Sequence, residues 1–287
     1  MSEKTMQSWT EDPEPLLRAG EGFRLDDVDP RSTPGYEGNK KSGRKDLKAC
    51  VPELGDLQER LFAAHHDEKS GPAVLLVLQA MDTAGKGGIV RHVVGSVDPQ
   101  GVELAAFKAP TKEELSHDFL WRIRPRVPGP GMIGVFDRSH YEDVLIGKVR
   151  ELADDEEIER RYAAIRDFEA ELAEAGVRMI KVMLNISPDE QKDRLMERLD
   201  RPDKYWKYNP GDVDERLLWP DYMKAYQAVF ERTSTEAAPW YVVPADRKWY
   251  ARLAIQQLLL NALRNIDPQW PAADFDIDVE RERLAES

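Results

Sequence analysis

A buried strand that runs into a glycine-rich turn and then a helix constrains this chain more than any other feature of its sequence. Residues 73–79 read AVLLVLQ, a continuous apolar run that is typical of a strand buried on both faces of a parallel sheet. The turn AMDTAGKGG (80–88) follows directly and opens a helix that we expect to end near Val94. Strand, turn and helix in this order predict a phosphate-binding loop, because the backbone N–H groups of the turn and of the helix N-terminus converge on an anion.

The turn departs from the standard phosphate-binding pattern, which is Gly, four residues, and then Gly-Lys followed by Ser or Thr. Ala80 replaces the first glycine, and Gly87 replaces the hydroxyl residue that usually binds Mg²⁺. Lys86 is kept and is predicted to reach the oxygens of the transferred phosphoryl group. The residues predicted to bind phosphate in this turn are Ala84, Gly85, Lys86, Gly87 and Gly88.

A carboxylate inside such a turn needs an explanation, because phosphate repels it unless a cation lies between them. Asp82 is therefore interpreted either as a Mg²⁺ ligand or as a group that orients the acceptor. The alternative is an ordinary strand-to-helix turn, with Asp82 solvated and Lys86 on a surface helix. Agreement of strand, turn, Gly-Lys pair and helix argues against that alternative.

A second apolar run, GMIGVFD (131–137), is a predicted buried strand that ends in an acid. In phosphate-binding-loop enzymes an acid at this position binds Mg²⁺, which takes one or two carboxylates together with phosphates and waters. We therefore predict that Asp82 and Asp137 are the metal ligands, with Mn²⁺ as an alternative ion. Arg138 follows directly, where its planar guanidinium can bridge two phosphate oxygens.

The residues predicted to bind the nucleotide come from two segments. Tyr141, Glu142 and Asp143 lie on the turn after the second strand and either contact a base or ribose or, as acids, cap a helix N-terminus. Lys108 and Arg122 belong to a basic group before that strand and are candidates to bind the phosphate chain or the acceptor nucleotide.

Strands and helices alternate from residue 73 to residue 265, which predicts a parallel sheet covered on both faces, a three-layer α/β/α fold. The further predicted strands are 102–107, 177–184 and 241–243, and the further predicted helices are 56–66, 111–122, 156–175, 187–199, 212–233 and 247–265. We predict an N-terminal arm over residues 1–45, one domain over 46–268, and an acidic, irregular C-terminal tail over 269–287.

Composition excludes several classes of function. The net charge of −13 disfavours general DNA or RNA binding, although a local basic strip can still bind a polyanion. No stretch approaches the ~18 uninterrupted apolar residues that a membrane helix needs. Cys50 is the only cysteine, which rules out an intramolecular disulfide and fits a reducing cytosol, so we expect a cytoplasmic protein. Trp219, Tyr222, Tyr226 and Phe230 either pack inside or form a subunit contact, and we expect a homo-oligomer, a dimer or a tetramer.

Three segments in order carry a resemblance to a known family: AMDTAGKGG (80–88), FDRSHYEDV (136–144) and RLDRPDKYWK (198–207). Together with intermediate text such as PWYVVPADRKWYAR (239–252), they resemble polyphosphate kinase family 2, the polyphosphate:nucleotide phosphotransferases. The resemblance runs from about residue 45 to residue 265. It implies a P-loop kinase core with a helical lid at about 195–220, dependence on Mg²⁺, and phosphoryl transfer between inorganic polyphosphate and nucleotides.

Position by position, the resemblance implies a catalytic set of Asp82, Lys86, Asp137 and Arg138, with Arg198 as the lid arginine. The sequence HYED is similar to the subgroup that converts AMP and ADP to ADP and ATP, with guanosine nucleotides as further candidates. Arg201 stands where many members carry an acid, and Lys148 where an arginine is common. Neither departure removes a member of the catalytic set.

Cations at 192–207 alternate with acids, and Arg194 and Arg198, four residues apart, share a helix face. Lys204 and Lys207 are predicted phosphate ligands on a mobile lid that closes over the phosphates and excludes water. The alternative is a surface helix laced with salt bridges. For the whole chain, two other functions stay open: an ATP-dependent nucleoside monophosphate kinase and a nucleotide-sensing module without catalysis.

Overall fold

The computed structural model describes residues 8–65 and 68–287, and a five-stranded parallel sheet lies at their centre. The strands are β1 (Ala73–Gln79), β2 (Val102–Ala106), β3 (Ile133–Asp137), β4 (Val177–Asn185) and β5 (Trp240–Pro244). Their order across the sheet is β2-β3-β1-β4-β5, and all pairs are parallel. Every predicted strand is present, with bounds that differ by at most two residues from those of the sequence pattern.

Helices cover both faces of the sheet. In chain order they are α1 (Pro13–Leu17), α2 (Lys40–Ala49), α3 (Val51–His65), α4 (Lys86–His92), α5 (Glu142–Val149), α6 (Asp155–Glu174), α7 (Pro188–Asp200), α8 (Gly211–Leu217), α9 (Trp219–Thr233), α10 (Lys248–Ile266) and α11 (Ile277–Ala285). Short 3₁₀ turns lie at Leu25–Asp27, Val94–Ser96, Pro99–Gly101, Glu114–Ser116, Arg124–Arg126 and Pro202–Lys207.

The central strand β1 shows why the fold has three layers. Its alternate residues point to opposite faces, and all seven are buried. Val74, Leu76 and Leu78 pack into one core with α2, α3, α4 and α10, whereas Leu75 and Val77 pack into a second core with α5, α6 and α9. The predicted three-layer α/β/α arrangement is therefore confirmed.

Three predictions of local structure are wrong. In the predicted helix 111–122, Thr111 and Glu114 form a capping box, with Thr111 N donating to Glu114 Oε2 at 2.7 Å, but only a 3₁₀ turn follows because the backbone becomes extended at His117. The predicted helix 212–233 is divided at Leu218, where Pro220 opens the first turn of α9 and supplies no backbone donor. The tail contains α11, whose N-cap Asp276 accepts from two backbone N–H groups.

Other sequence boundaries fall inside elements. Residue 45, the predicted end of the arm, lies within α2, so the predicted boundary falls inside a helix. The predicted helix 56–66 begins earlier, at Val51, and is described to His65; His66 lies outside the described residues. On α9, Tyr222, Tyr226 and Phe230 pack inside the core, and Trp219 is partly buried against it.

The described part of the arm belongs to the fold. Trp9, Leu17 and Tyr36 are buried in the same core as α10, and Ala19 N donates to Trp240 O at 2.8 Å along the outer edge of β5. The Tyr241 hydroxyl donates to Glu14 Oε1 at 2.8 Å. These contacts cover the edge of the sheet that would otherwise expose unpaired backbone groups.

Two neighbouring leucines of α1 test the contribution of the arm to stability. Leu17 is 3% exposed and Leu16 is 44% exposed. We expect Leu17→Ala to lower the free energy of unfolding by about 3 kcal/mol, because it deletes buried methyl groups and leaves a cavity. Leu16→Ala should change it by about 0.5 kcal/mol or less. Urea denaturation measures both, and equal effects would contradict a packed arm.

Candidate active site

The phosphate-binding turn (residues 80–88) connects β1 to α4 at the carboxyl edge of the sheet. Its path needs left-handed backbone at two positions, Gly85 with φ 123° and Thr83 with φ 66°. Glycine adopts such angles without a steric penalty, which explains Gly85 directly before the helix. Lys86 begins α4, and its Nζ lies 3.5 Å from Ala80 O, so the ammonium group folds back over the turn.

A buried arginine of α7, Arg194, binds the backbone carbonyl groups of this turn. One terminal nitrogen of Arg194 donates to Thr83 O at 3.1 Å and to Ala84 O at 2.7 Å. The other donates to Ala245 O at 2.7 Å and to Asp246 O at 3.1 Å, which links the turn to the end of β5. Glu190 accepts from its Nε at 2.7 Å. Arg194 is therefore a structural clamp on the phosphate-binding turn.

Asp82 and Arg138 face each other across the site. Arg138 Nη2 donates to Asp82 Oδ1 at 3.1 Å, and Gln191 Nε2 of α7 donates to Asp82 O at 3.2 Å. Arg138 has φ 64°, an unusual backbone angle for a residue with a side chain. Burial would lower the pKa of Arg138, but the surrounding carboxylates, with Glu142 the strongest, raise it.

Asp137 ends β3 beside the end of β1, because the register pairs it with Leu78. Its backbone O accepts from Phe107 N at 3.0 Å, and its carboxylate contributes to the raised pKa of Arg138. Among the described residues no group of three or more His, Cys, Asp or Glu side chains is arranged to hold a metal ion. Asp82 and Asp137 stay the predicted ligands of an ion that would take its remaining ligands from phosphates and water.

A pocket rich in carboxylates, which we call the carboxylate pocket, opens between Arg138 and the segments after α7. It is lined by Ala80, Met81, Asp82, Arg138, Glu142, Leu145, Ile146, Asn209, Gly211, Asp212, Glu215, Tyr222 and Tyr226. Its lining contains four carboxylates and one arginine; Arg138 pairs with Asp82, while Arg198 and Arg150, outside the lining, pair with Asp212 and Glu215. A polyanion enters such a pocket only together with cations or by presenting an uncharged, donor-bearing group.

Burial shapes the chemistry of two of these carboxylates. It raises the pKa of Glu142, although Arg138 and Lys86 act in the opposite direction. The Gln79 amide, oriented by its partners, donates to Glu142 Oε1 at 2.8 Å and accepts from Ser139 N at 3.2 Å. Burial and the charge of Asp82 likewise raise the pKa of Asp212.

The predicted lid consists of the end of α7, the 3₁₀ turn Pro202–Lys207 and α8. One nitrogen of Arg198 donates to Lys207 O at 2.7 Å and to Asp212 Oδ2 at 3.2 Å, so this arginine ties the three pieces together. Lys204 pairs with Glu197, and Lys207 Nζ lies 4.8 Å from the centre of the Trp206 ring. In this conformation both lysines contact the lid itself.

The predicted nucleotide-binding residues do not share one pocket. Glu142 lines the carboxylate pocket, but Tyr141 is fully buried in the core and its hydroxyl donates to Glu169, so it has no surface to offer a nucleotide. Arg122 and Lys108 line another groove, beside β2. Arg122 Nη2 lies 3.5 Å from Asp143 Oδ2, and Arg122 Nη1 donates to Lys108 O at 2.8 Å.

Sequence reasoning missed several members of the site. Gln79, Gln191 and Asp212 have no motif that distinguishes them, and Arg194 was treated as a neighbour of Arg198 on a lid face. The spacing of the two arginines does place them on one side of α7. Only the packing of α7 against the phosphate-binding turn separates the buried clamp from the lid arginine.

Comparisons with known proteins identify relatives of this chain. The family model described as Polyphosphate kinase 2 (PPK2) matches residues 37–271. The chain is 43% identical over 249 residues to an AMP/ADP-polyphosphate phosphotransferase of Meiothermus ruber, covering 87% of this chain and 91% of that protein. It is 40% identical over 269 residues to an ADP-polyphosphate phosphotransferase of Rhodopseudomonas palustris, covering 89% and 91%. The crystal structure of Polyphosphate Kinase 2 from Arthrobacter aurescens TC1 superposes with a TM-score of 0.94 at 60% identity, over 97% of this chain and 98% of that one.

The helices of the described residues include none that is long and apolar enough to cross a membrane.

The clamp on the phosphate-binding turn can be tested on α7. We expect Arg194→Met to lower the free energy of unfolding by about 3 kcal/mol, because backbone oxygens and Glu190 lose a buried charged donor. Lys192→Met, at an exposed position of the same helix, is the matched control and should have little effect. Thermal and urea denaturation measure both variants. A stable Arg194→Met protein would contradict the clamp.

Proposed function

Because the chain belongs to the polyphosphate kinase 2 family, we propose that it transfers phosphoryl groups between inorganic polyphosphate and nucleoside mono- or diphosphates, with Mg²⁺ as cofactor. The observation that carries this proposal is the convergence of Lys86, Asp82 and Arg138 at the end of β1, beside the carboxylate pocket. Phosphoryl transfer requires these three groups: an ammonium group that reaches the phosphate, a carboxylate, and a guanidinium.

AMP and ADP are the acceptors that we propose, and GMP and GDP are further candidates. The Meiothermus ruber relative is named for AMP and ADP, and the Rhodopseudomonas palustris relative for ADP. In the HYED sequence at residues 140–143, Glu142 is half-buried on the wall of the carboxylate pocket, where its carboxylate can accept hydrogen bonds from a nucleotide.

The carboxylate pocket supports the need for a divalent cation. Arg138, the one arginine of its lining, is already paired with Asp82, and Arg198 and Arg150 pair with Asp212 and Glu215. The pocket therefore offers the phosphates of both substrates little free positive charge. Asp82 and Asp137, at neighbouring strand ends, provide hard oxygen ligands of the kind that Mg²⁺ prefers. When bound, Mg²⁺ would neutralise charge on the donor and acceptor oxygens.

The side chains of the chain itself act by position and charge. Lys86 and Arg138 stabilise the negative charge of the transferring group, and Arg198 holds the lid segments that exclude water. An oxygen of the nucleotide's last phosphate forms a bond to the terminal phosphorus of polyphosphate, and the bridging P–O bond between that phosphorus and the rest of the chain breaks. The polyphosphate chain becomes one phosphate shorter, and no covalent enzyme intermediate is needed.

The proposed activity is tested by supplying polyphosphate as the only phosphoryl donor. We expect ³¹P NMR of the protein with polyphosphate, Mg²⁺ and either AMP or ADP to show loss of polyphosphate signal and growth of ADP or ATP signals. Removal of Mg²⁺ with EDTA should stop the reaction, because the pocket then repels both substrates. Parallel reactions with GMP and GDP test the base.

Two outcomes would replace the proposal. Transfer from ATP to a nucleoside monophosphate, with no transfer from polyphosphate, would indicate an ATP-dependent nucleoside monophosphate kinase. Tight nucleotide binding with no transfer from either donor would indicate a nucleotide-sensing module.

The role of Asp82 is tested by Asp82→Asn, which keeps the side-chain shape and removes the charge. We expect kcat to fall about 100-fold or more, because a cation ligand at the transferring phosphates is lost, while the melting temperature stays close to that of the wild type. Asp167→Asn, at an exposed position of α6 away from the site, is the matched control. Near-normal turnover in Asp82→Asn would exclude Asp82 from the chemistry.

A further inference from the structure

A charged network is buried directly beneath the turn of residues 138–142, which we call the arginine turn because Arg138 opens it. Lys181, in the middle of β4, is fully buried, and Glu169 of α6 is 2% exposed. Lys181 Nζ donates to Glu169 Oε2 at 2.6 Å, and the Tyr141 hydroxyl donates to Glu169 Oε1 at 2.6 Å. Lysine and glutamate are rarely buried to this degree.

Every donor of the Lys181 ammonium group has a partner. The three protons of the lysine ammonium group have three partners: Glu169 Oε2, the Tyr141 hydroxyl at 2.9 Å and Thr233 O at 2.8 Å. Lys181 Nζ also lies 5.4 Å from the ring centres of Tyr141 and Trp240. One ammonium group therefore joins β4, α6, the end of α9 and the arginine turn.

Burial of these charges has a cost that the ion pair offsets only in part. Burial lowers the pKa of Lys181. Burial alone would raise the pKa of Glu169, but Lys181 and His140 together hold that pKa below its ordinary value. Replacement of a buried ion pair by apolar residues is often neutral or stabilising in other proteins, so stability alone does not account for this pair.

The arginine turn requires restraint. Arg138, at its start, has φ 64°, and such a conformation persists only where the surrounding structure enforces it. Tyr141 N donates to Ser139 Oγ at 3.2 Å, and Glu142 N donates to Ser139 O at 3.1 Å, so the turn is short and tightly bonded. Tyr141 anchors it from below, three residues after Arg138 and next to Glu142.

We propose that the buried network of Tyr141, Glu169 and Lys181 positions the arginine turn for phosphoryl transfer, an inference that rests on the proposed function. The network touches neither substrate, so its members are positioning residues. Its effect passes through Arg138 on one side and Glu142 on the other. A displacement of about 1 Å at a reacting group is enough to lower a rate up to 100-fold.

Tyr141→Phe tests the network with the smallest change, because it removes one hydroxyl and keeps the ring. We expect kcat to fall about tenfold while KM for ADP changes by about twofold or less, since the variant misplaces groups that act in the transition state. Tyr250→Phe is the matched control: Tyr250 is also fully buried, and its hydroxyl donates to Pro34 O at 2.8 Å, away from the arginine turn. It should lose similar stability and keep kcat.

A double-mutant cycle separates positioning from a general structural role. In an Arg138→Ala background, Tyr141→Phe should lower kcat clearly less than tenfold, because one of the two groups that it positions is already absent. A combined Lys181→Met and Glu169→Gln variant, which removes both charges together, should stay folded and lose kcat as Tyr141→Phe does. Full additivity with Arg138→Ala would overturn the inference.

A readout without catalysis keeps the inference distinct from the proposed function. Side-chain ¹⁵N NMR of the Arg138 Nε–H group in the free protein should show a shifted or broadened signal in Tyr141→Phe and an unchanged signal in Tyr250→Phe. An unchanged Arg138 signal in a folded Tyr141→Phe protein, or an unchanged kcat, would overturn the positioning role. Absence of transfer from polyphosphate by the wild type would refute the proposed function alone, and the NMR comparison would still decide the inference.

Discussion

The parallel pairing of β1 with β3 is the constraint on which the site depends. Because Leu78 pairs with Asp137, both strands end at the same level, and the two turns that follow lie side by side. Asp82 on one turn then reaches Arg138 on the other at 3.1 Å. A shift of one residue in this register would turn the side chain of Asp137 to the opposite face of the sheet.

Two buried sets of polar contacts restrain these turns, which contain residues in unfavourable backbone conformations. Arg194 binds the carbonyl groups around Thr83, and the Lys181 network binds Tyr141 beneath the arginine turn. Thr83 and Arg138, the non-glycine residues of these two turns with positive φ, lie in the turns that Arg194 and the Lys181 network contact. Such strain commonly occurs where a protein fixes reacting groups before the substrate arrives. The fold thus prepares the charges of the site in the free protein.

The strands and the phosphate-binding turn were predictable from sequence, because a strand buried on both faces leaves a continuous apolar run and Gly-Lys opens the helix. The length of the 111–122 segment was not predictable, since the capping box at Thr111 and Glu114 is satisfied within a single turn.

Tyr141 is predicted to contact a nucleotide from its position beside Glu142. Which side of the turn it occupies depends on Glu169 and Lys181, which are distant in sequence. Arg194 shows the same limit, because its partners lie on two other loops.

The central claim is that Asp82 and Asp137 hold a divalent cation where Lys86 meets phosphate. The most direct test is a pair of crystal structures with Mg²⁺, ADP and a short polyphosphate bound. One is of the wild type, kept at low temperature, and the other is of the Asp82→Asn variant. The account predicts Mg²⁺ at about 2.1 Å from carboxylate oxygens of both aspartates in the wild type, with a phosphate oxygen completing its ligands beside Lys86. Carboxylates that face away from the metal, or phosphates bound far from Lys86, would contradict it.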